Sequence, residues 1–460
     1  MTELPAGWAD ASLAEIGEIG DGFRDGDWVE SKDQDPVGEV RLLQLADVGT
    51  GTFRDRSNRW MRPDQVDAVS GEALAEGDVL IARMPDPIGR SCVMPSLPYT
   101  SLTCVDVAVL RPPAEVLPAW VAWHMNAPST HREVAALASG STRQRISRKN
   151  LGTIRLGVPP HAEQRRIVET LDQAMSVLST ARSALAATRK RIDVLELALV
   201  RAALGDAGVS GADRKQLGQI AQVQLGRQRS PKDHTGDNMV RYLRAANATW
   251  AGVDVSDVKE MNFSEDEVTT YKLADGDVLL NEASGSPREV GKPVIWRSEL
   301  AGDVCFQNTL IRVRAGTTVL PGFLHLLLRE AALAGLWAAE SRGVGIAHIG
   351  AKRLREFDVP VPPLEVQQRC VSLFEETALL RARLRDSAAH VATLIEATER
   401  ALLESAVSGA LVPQDPDDEP ASALLDRLKA ERASAAKQPG RRTVRGRGAS
   451  AAADGGRKSA

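Results

Sequence analysis

Apolar positions along the chain follow two patterns, and each pattern occurs twice. Short apolar or alternating runs with strand character come first in each half: Asp78–Ala82 and Val105–Leu110, then Asp277–Leu280 and Thr309–Val313, punctuated by Gly and Pro. A double proline ends each such region, and a long stretch with a 4-3 apolar repeat follows. The first stretch predicts a helix from about Glu163 to Leu204, with its seam at Ile167, Leu171, Ala174, Leu178, Ala181, Leu185, Thr188, Ile192, Leu195, Leu199 and Ala202. The second predicts a helix from about Glu365 to Val407, with its seam at Leu373, Thr377, Leu380, Leu384, Ser387, Val391, Leu394, Thr398, Ala401 and Ser405. Heptad spacing of this length argues for paired, coiled-coil helices. At 1.5 Å per residue the first would be ~60 Å long.

The halves match in detail as well as in outline. Arg41-Leu42-Leu43 recurs as Arg241-Tyr242-Leu243, Gly77-Asp78-Val79-Leu80 as Gly276-Asp277-Val278-Leu279, and Pro118-Ala119-Trp120 as Pro321-Gly322-Phe323. Pro159-Pro160 followed by Gln164 recurs as Pro362-Pro363 followed by Gln367. The offset stays near ~200 residues throughout, which marks an internal duplication with loops of unequal length. The organisation expected is a globular domain over 1–160, a spacer helix over 161–206, a second globular domain over 207–362 and a second spacer helix over 363–409. A tail over 410–460 follows, with a short helix over Ala421–Ala436 and a disordered basic end. The fold class is mixed α/β, with two similar globular domains separated by two long antiparallel helices in a pseudo-two-fold repeat.

Composition narrows the function. Of 460 residues 43% are hydrophobic and 26% charged, ordinary for a soluble globular chain. The net charge of -4 gives no global pull toward nucleic acid, so any such surface must be a local basic patch. Four scattered cysteines, no apolar leader and no long uncharged apolar run predict a soluble, cytoplasmic protein without membrane spans. Catalytic motifs are missing. Gly285–Pro293 superficially resembles a phosphate loop, but its glycine spacing is wrong and Pro293 stands where Ser or Thr is required. The seven histidines have no metal-ligand spacing, and no nucleophile elbow or dinucleotide fingerprint occurs.

The repeated frame carries a family resemblance. The first copy reads Gly140-STRQR-Ile146-SRKN-Leu151, then Val158-Pro159-Pro160-HAE-Gln164-Arg165-Arg166. The second reads Gly343-VGIAH-Ile349-GAKR-Leu354, then Val361-Pro362-Pro363-LEV-Gln367-Gln368-Arg369. With Leu4–Trp8 and the Gly-Asp-Val-Leu element, this resembles the specificity subunit of Type I restriction–modification systems over about residues 4–412. His161 and Val366 depart from the family pattern at the helix starts.

The resemblance implies a non-catalytic subunit that binds a bipartite, asymmetric double-stranded DNA target, one part per globular domain. Two adenine methyltransferase subunits and the motor-nuclease subunits are the implied partners, and S-adenosylmethionine, ATP and Mg2+ would bind those partners. Local charge nominates the DNA contacts: Arg54, Arg56, Arg59 and Arg62 near Trp60; Arg143, Arg145, Arg148 and Lys149; and Arg227, Arg229, Lys232, Arg241 and Arg244 with Asn247. The alternatives are a specificity-like subunit of another phage-defence complex, a coiled-coil scaffold, and a fused restriction–methylation enzyme. The absent motifs oppose the last, and the divergent loop-rich halves oppose a plain scaffold.

Overall fold

The computed structural model describes residues 4–66, 72–140, 143–206, 209–284, 286, 289–337 and 347–437. The basic end beyond Lys437 and the glycine of the second frame, Gly343, lie outside these residues. The fold divides into unit 1, residues 1–179 with 396–460, and unit 2, residues 180–395.

Unit 1 holds strands β1 (Ala9–Ser12), β2 (Phe23–Asp25), β3 (Val40–Leu43), β4 (Trp60–Met61), β5 (Val79–Ala82), β6 (Ser91–Val93), β7 (Ser101–Thr103), β8 (Val107–Leu110) and β9 (Arg155–Val158). They form an antiparallel four-stranded sheet β2-β8-β5-β6, a three-stranded sheet β4-β3-β7 and the pair β1-β9. Its short helices are α1 (Leu13–Ile19), α2 (Pro63–Val66), α3 (Pro118–Met125), α4 (Pro128–Ala136) and α5 (Arg148–Gly152). The long helix α6 (His161–Asp206) begins here and continues into unit 2.

Unit 2 repeats the plan. Its strands are β10 (Arg214–Gln216), β11 (Ala221–Leu225), β12 (Met239–Leu243), β13 (Ala248–Thr249), β14 (Gly252–Val253), β15 (Lys259–Asn262), β16 (Val278–Asn281), β17 (Ala283–Ser284), β18 (Pro293–Ile295), β19 (Val304–Phe306), β20 (Leu310–Ala315), β21 (Ala347–His348) and β22 (Asp358–Pro360). Sheet β11-β20-β16-β18 answers β2-β8-β5-β6, β15-β12-β19 answers β4-β3-β7, and β10-β22 answers β1-β9. In both three-stranded sheets the middle strand pairs parallel with one neighbour and antiparallel with the other. The helices are α7 (Leu217–Ile220), α8 (Glu265–Tyr271), α9 (Pro321–Leu333), α10 (Ala351–Arg355) and α11 (Leu364–Glu375). Then come α12 (Ala378–Val407), which re-enters unit 1, and α13 (Ala421–Lys437).

The apolar runs make central strands because both faces are covered. In β5, Val79 and Ile81 pack into one core cluster while Leu80 and Ala82 pack into another. In β16, Val278 and Leu280 face one cluster and Leu279 a second. A strand buried on both sides reads as continuous hydrophobicity, not as alternation. Before each run a glycine takes a left-handed turn, Gly77 at φ +90° and Gly276 at φ +86°. The next residue, Asp78 or Asp277, is buried and ties the turn down. Asp78 accepts from Ala75 N–H at 2.9 Å and from Arg111 Nε at 2.6 Å; Asp277 accepts from Ala274 N–H at 2.8 Å and from Arg314 Nε at 2.7 Å. The Gly-Asp pair is thus a turn anchored by a charge-assisted bond. The four cysteines are unpaired, and burial pushes the Cys92 and Cys305 thiols up to about 12, so both are inert core groups.

The long helices are antiparallel neighbours within each unit. In unit 1, Ile167 and Leu171 of α6 pack with Leu403 and Ala406 of α12. In unit 2, Asp193 meets Arg385 and Glu196 meets Arg381, so rising numbers on one helix meet falling numbers on the other. The seams differ from the heptad expectation. Along α6 the inward positions become Glu196, Val200 and Ala203, and Leu195 turns outward. From Ile167 to Ala203 the inward set keeps the 3.6-residue repeat of a straight helix, whereas a strict heptad drifts ~20° per repeat. Along α12 the seam sits one residue later than expected at Ala388, Ile395 and Ala406 and two later at Leu403, with Leu380, Val391 and Leu394 exposed. The expected second helix is also interrupted at Glu376–Thr377. There the Phe374 carbonyl accepts from Thr377 Oγ1 at 2.7 Å and from Arg381 Nη2 at 3.2 Å, so side chains serve it at the break. Among the described residues no helix is long and apolar enough to cross a membrane.

Candidate nucleic-acid interface

The best-formed basic surface lies on unit 1, on the loop between β3 and β4. Asp47, fully buried, accepts from the backbone N–H groups of Gln44 at 2.7 Å, Arg56 at 2.6 Å and Ser57 at 2.7 Å. Its own carbonyl accepts from Arg54 N–H at 2.8 Å. The loop backbone is therefore pinned from inside while the side chains of Arg54, Arg56, Arg59 and Arg62 project outward, all exposed. Arg54 and Arg56 have no carboxylate within ion-pair distance among the described residues. Arg59 donates to the neutral Gln34 Oε1 at 2.9 Å, and Arg62 lies 3.4 Å from Asp64 and 3.9 Å from Asp35. Beneath them Arg41, paired with Asp55 at 2.9 Å, stacks over the Trp60 ring at 5.0 Å, and Trp60 meets Tyr99 edge-on.

The second group on unit 1 is split. Arg143 and Lys149 are exposed and have no carboxylate partner among the described residues. Arg145 is held by Asp106 at 3.2 Å and by the Val105 carbonyl, and Arg148 by Asp25 at 3.3 Å and the Phe23 carbonyl. Sequence reasoning missed Arg83, the hub of this corner. It is buried at the end of β5, pairs with Asp25 and donates to the carbonyls of Val105 at 2.9 Å and Ile146 at 3.0 Å. Burial lowers its pKa against the pull of Asp25. No local pattern marks it, because its partners come from distant segments.

Unit 2 uses its nominated residues differently. Arg227 is half-buried, neutralised by Glu267 at 2.6 Å and Asp233 at 3.2 Å, and stacked over Phe263. Arg244 pairs with Asp257, and Arg241 donates to the Ala301 carbonyl. Asn247 is buried. Its Oδ1 accepts from Arg244 N–H at 3.0 Å and its Nδ2 donates to the carbonyls of Asp254 at 2.8 Å and Asp257 at 3.1 Å. It is the counterpart of Asp47, a staple inside the loop. Arg229 is exposed and bonds His234 at 3.0 Å; the Lys232 side chain lies outside the described residues.

The repeated glutamine has the same work in both copies. Gln164 Oε1 accepts from Leu117 N–H at 2.8 Å while Nε2 donates to the carbonyls of Pro159 and Glu115. Gln367 Oε1 accepts from Leu320 N–H at 2.8 Å while Nε2 donates to the carbonyls of Pro362 and Thr318. Each glutamine locks the start of its helix to the turn before α3 or α9. His161, the departure in the first copy, donates Nδ1–H to the Glu115 carbonyl at 2.8 Å.

Comparison with known proteins bears on this doubled arrangement. Residues 210–379 match the model of the Type I restriction modification DNA specificity domain. The whole chain is similar to the Type I restriction enzyme EcoKI specificity subunit of Escherichia coli (strain K12), 23% identical over 94% of this chain and 97% of that protein. Along its length the chain resembles the Type I specificity subunits. The StySPI specificity subunit of Salmonella potsdam is 21% identical over 94% of this chain and 96% of its own length. A solved structure described as the basis of complex assembly and conformational transition of the type I R-M system shares the fold. It has a TM-score of 0.59 and 18% identity, and the match covers 89% of this chain and 100% of that one. The resemblance supports a role in DNA recognition.

Proposed function

We propose that the chain is the non-catalytic sequence reader of a Type I complex. Each unit reads one part of a split, asymmetric duplex target. Two adenine methyltransferase subunits and the motor-nuclease subunits act where the chain directs them. S-adenosylmethionine, ATP and Mg2+ are assigned to those partners. The observation that carries this reading is the doubled fold: two units of one sheet topology whose equivalent loops carry unlike side chains. A repeated frame with divergent surfaces suits two readers of different sequences. The exposed basic groups of unit 1, Arg54 to Arg62 with Arg143 and Lys149, and exposed Arg229 of unit 2 supply candidate phosphate and base contacts. Asn247 acts in this reading as the staple of its loop. The exposed apolar residues of the long helices, Val194 and Leu195 on α6 with Leu379, Leu380, Val391 and Leu394 on α12, suit docking of the methyltransferase subunits.

The gap between half-sites is assigned to the helices. Deleting seven residues from both α6 and α12 removes ~10 Å of helix, or about three base pairs at ~3.4 Å each. Sites methylated in cells carrying the shortened chain with its methyltransferase, mapped by sequencing, should keep both half-sites and lose base pairs from the gap. Full methylation at the original gap would refute the helices as ruler.

A further inference from the structure

The two units present opposite charge at the same place in the fold. In unit 1 the β3–β4 segment, residues 50–66, carries four arginines against Asp55 and Asp64. In unit 2 the matching segment, residues 250–268, carries Lys259 against six carboxylates: Asp254, Asp257, Glu260, Glu265, Asp266 and Glu267. The match is one of register, not only of sequence order. Arg41 of β3 pairs with Trp60 of β4, and Arg241 of β12 pairs with Glu260 of β15; Val40 pairs with Met61, and Val240 with Met261.

The charges are also differently available. Arg54 and Arg56 stand exposed, without carboxylate partners among the described residues, on a loop that Asp47 pins. In unit 2 the lysine of the segment is spent on Asp257 at 2.7 Å, and Asp257 also takes Arg244. Asp254, Glu260, Glu265 and Asp266 remain exposed. Beside them a groove of about 710 Å³ is lined by Asp237, Glu260, Glu265 and Asp303, with Arg241 its one basic residue. A phosphate backbone is drawn to the first surface and repelled by the second.

We propose that the β3–β4 face of unit 1 is a phosphate grip for duplex DNA and that the matching β12–β15 face of unit 2 is kept off the backbone. This rests on the DNA-reading function proposed above. The two half-sites are then held by unlike means. The part bound by unit 1 owes more of its affinity to backbone charge and is the more sensitive to salt. Unit 2 meets DNA through other residues, among which exposed Arg229 is available.

The test uses the full chain, a random-sequence 40-base-pair duplex and anisotropy titrations across a KCl series. Each phosphate contact contributes about 0.9 to the slope of log K against log salt. The double variant Arg54→Ala/Arg56→Ala should lower that slope by about 2 with an unchanged thermal melt. The variant Asp257→Asn/Glu260→Gln should leave the slope where it was. A slope that survives loss of both arginines, or one that rises by a full contact in the unit 2 variant, overturns the proposal while duplex binding itself stands. Absence of salt-dependent binding by the unaltered chain would instead sink the DNA-reading function on which it rests.

Discussion

Gln164 and Gln367 look alike in the sequence and do one job. A primary amide offers an acceptor and two donors on one group, and each glutamine uses both kinds toward buried backbone. Replacing either with Ala strands a peptide N–H and the carbonyls it served. The expected cost is about 2–3 kcal/mol, read as a lower denaturant midpoint of the unit concerned. Arg229→Ala, at an exposed site, should change stability by less than about 0.5 kcal/mol. The recurrence of the glutamine after Pro-Pro is plain in the sequence; its partners are not, because Glu115 and Thr318 lie 49 residues upstream in each copy. The same limit hid Arg83, and it placed Asn247 among the outward residues. An Asn beside arginines on paper turns inward when the loop needs a staple, and only the closed loop reveals that need.

Helix seams show where periodicity misleads. The existence of α6 and α12 follows from their apolar spacing and from interiors free of Gly and Pro. The facing positions do not, because several faces of α12 carry Leu or Ala. An ion cluster decides between them in unit 2. Glu196, 1% exposed, pairs with buried Arg329 of α9 and with Arg381 and Arg385 of α12. The arginines must face α6, so Leu380 turns away. Burial alone would raise the Glu196 pKa; the guanidinium groups of Arg329 and Arg385 outweigh it and hold the carboxyl below its usual value of 4.5. Its stabilising contribution is therefore complete above about pH 4.5 and is lost as pH falls through the lower folded-state value. Glu196→Gln, which leaves buried cations unbalanced, should cost about 3 kcal/mol or more at pH 7. In thermal melts its deficit against the unaltered chain should shrink as the pH drops below about 4. A deficit constant from pH 7 to pH 3 would show that the charge is immaterial.

At the scale of the molecule, duplication was legible because framework residues recur in order, and the structure turns those landmarks into matching sheets. The alternative partners of each surface were not legible, since exposure depends on which helix face turns inward. The outward apolar residues of α12 give the test. Leu380→Lys with Leu394→Lys should leave the unfolding midpoint unchanged, because both side chains are about half exposed. Co-purification with the methyltransferase subunits should be lost. Retained co-purification would move the docking surface elsewhere. Helix α13 buries Ala421, Leu424, Leu425 and Leu428 in the core of unit 1, and Ala421 N–H donates to the Gly7 carbonyl at 2.8 Å. Unit 2 is one continuous stretch of chain and can complete its core as soon as its last residues leave the ribosome. Unit 1, begun first, must wait with an open apolar seam until α13 is synthesised. The first unit to be translated is therefore the last to close.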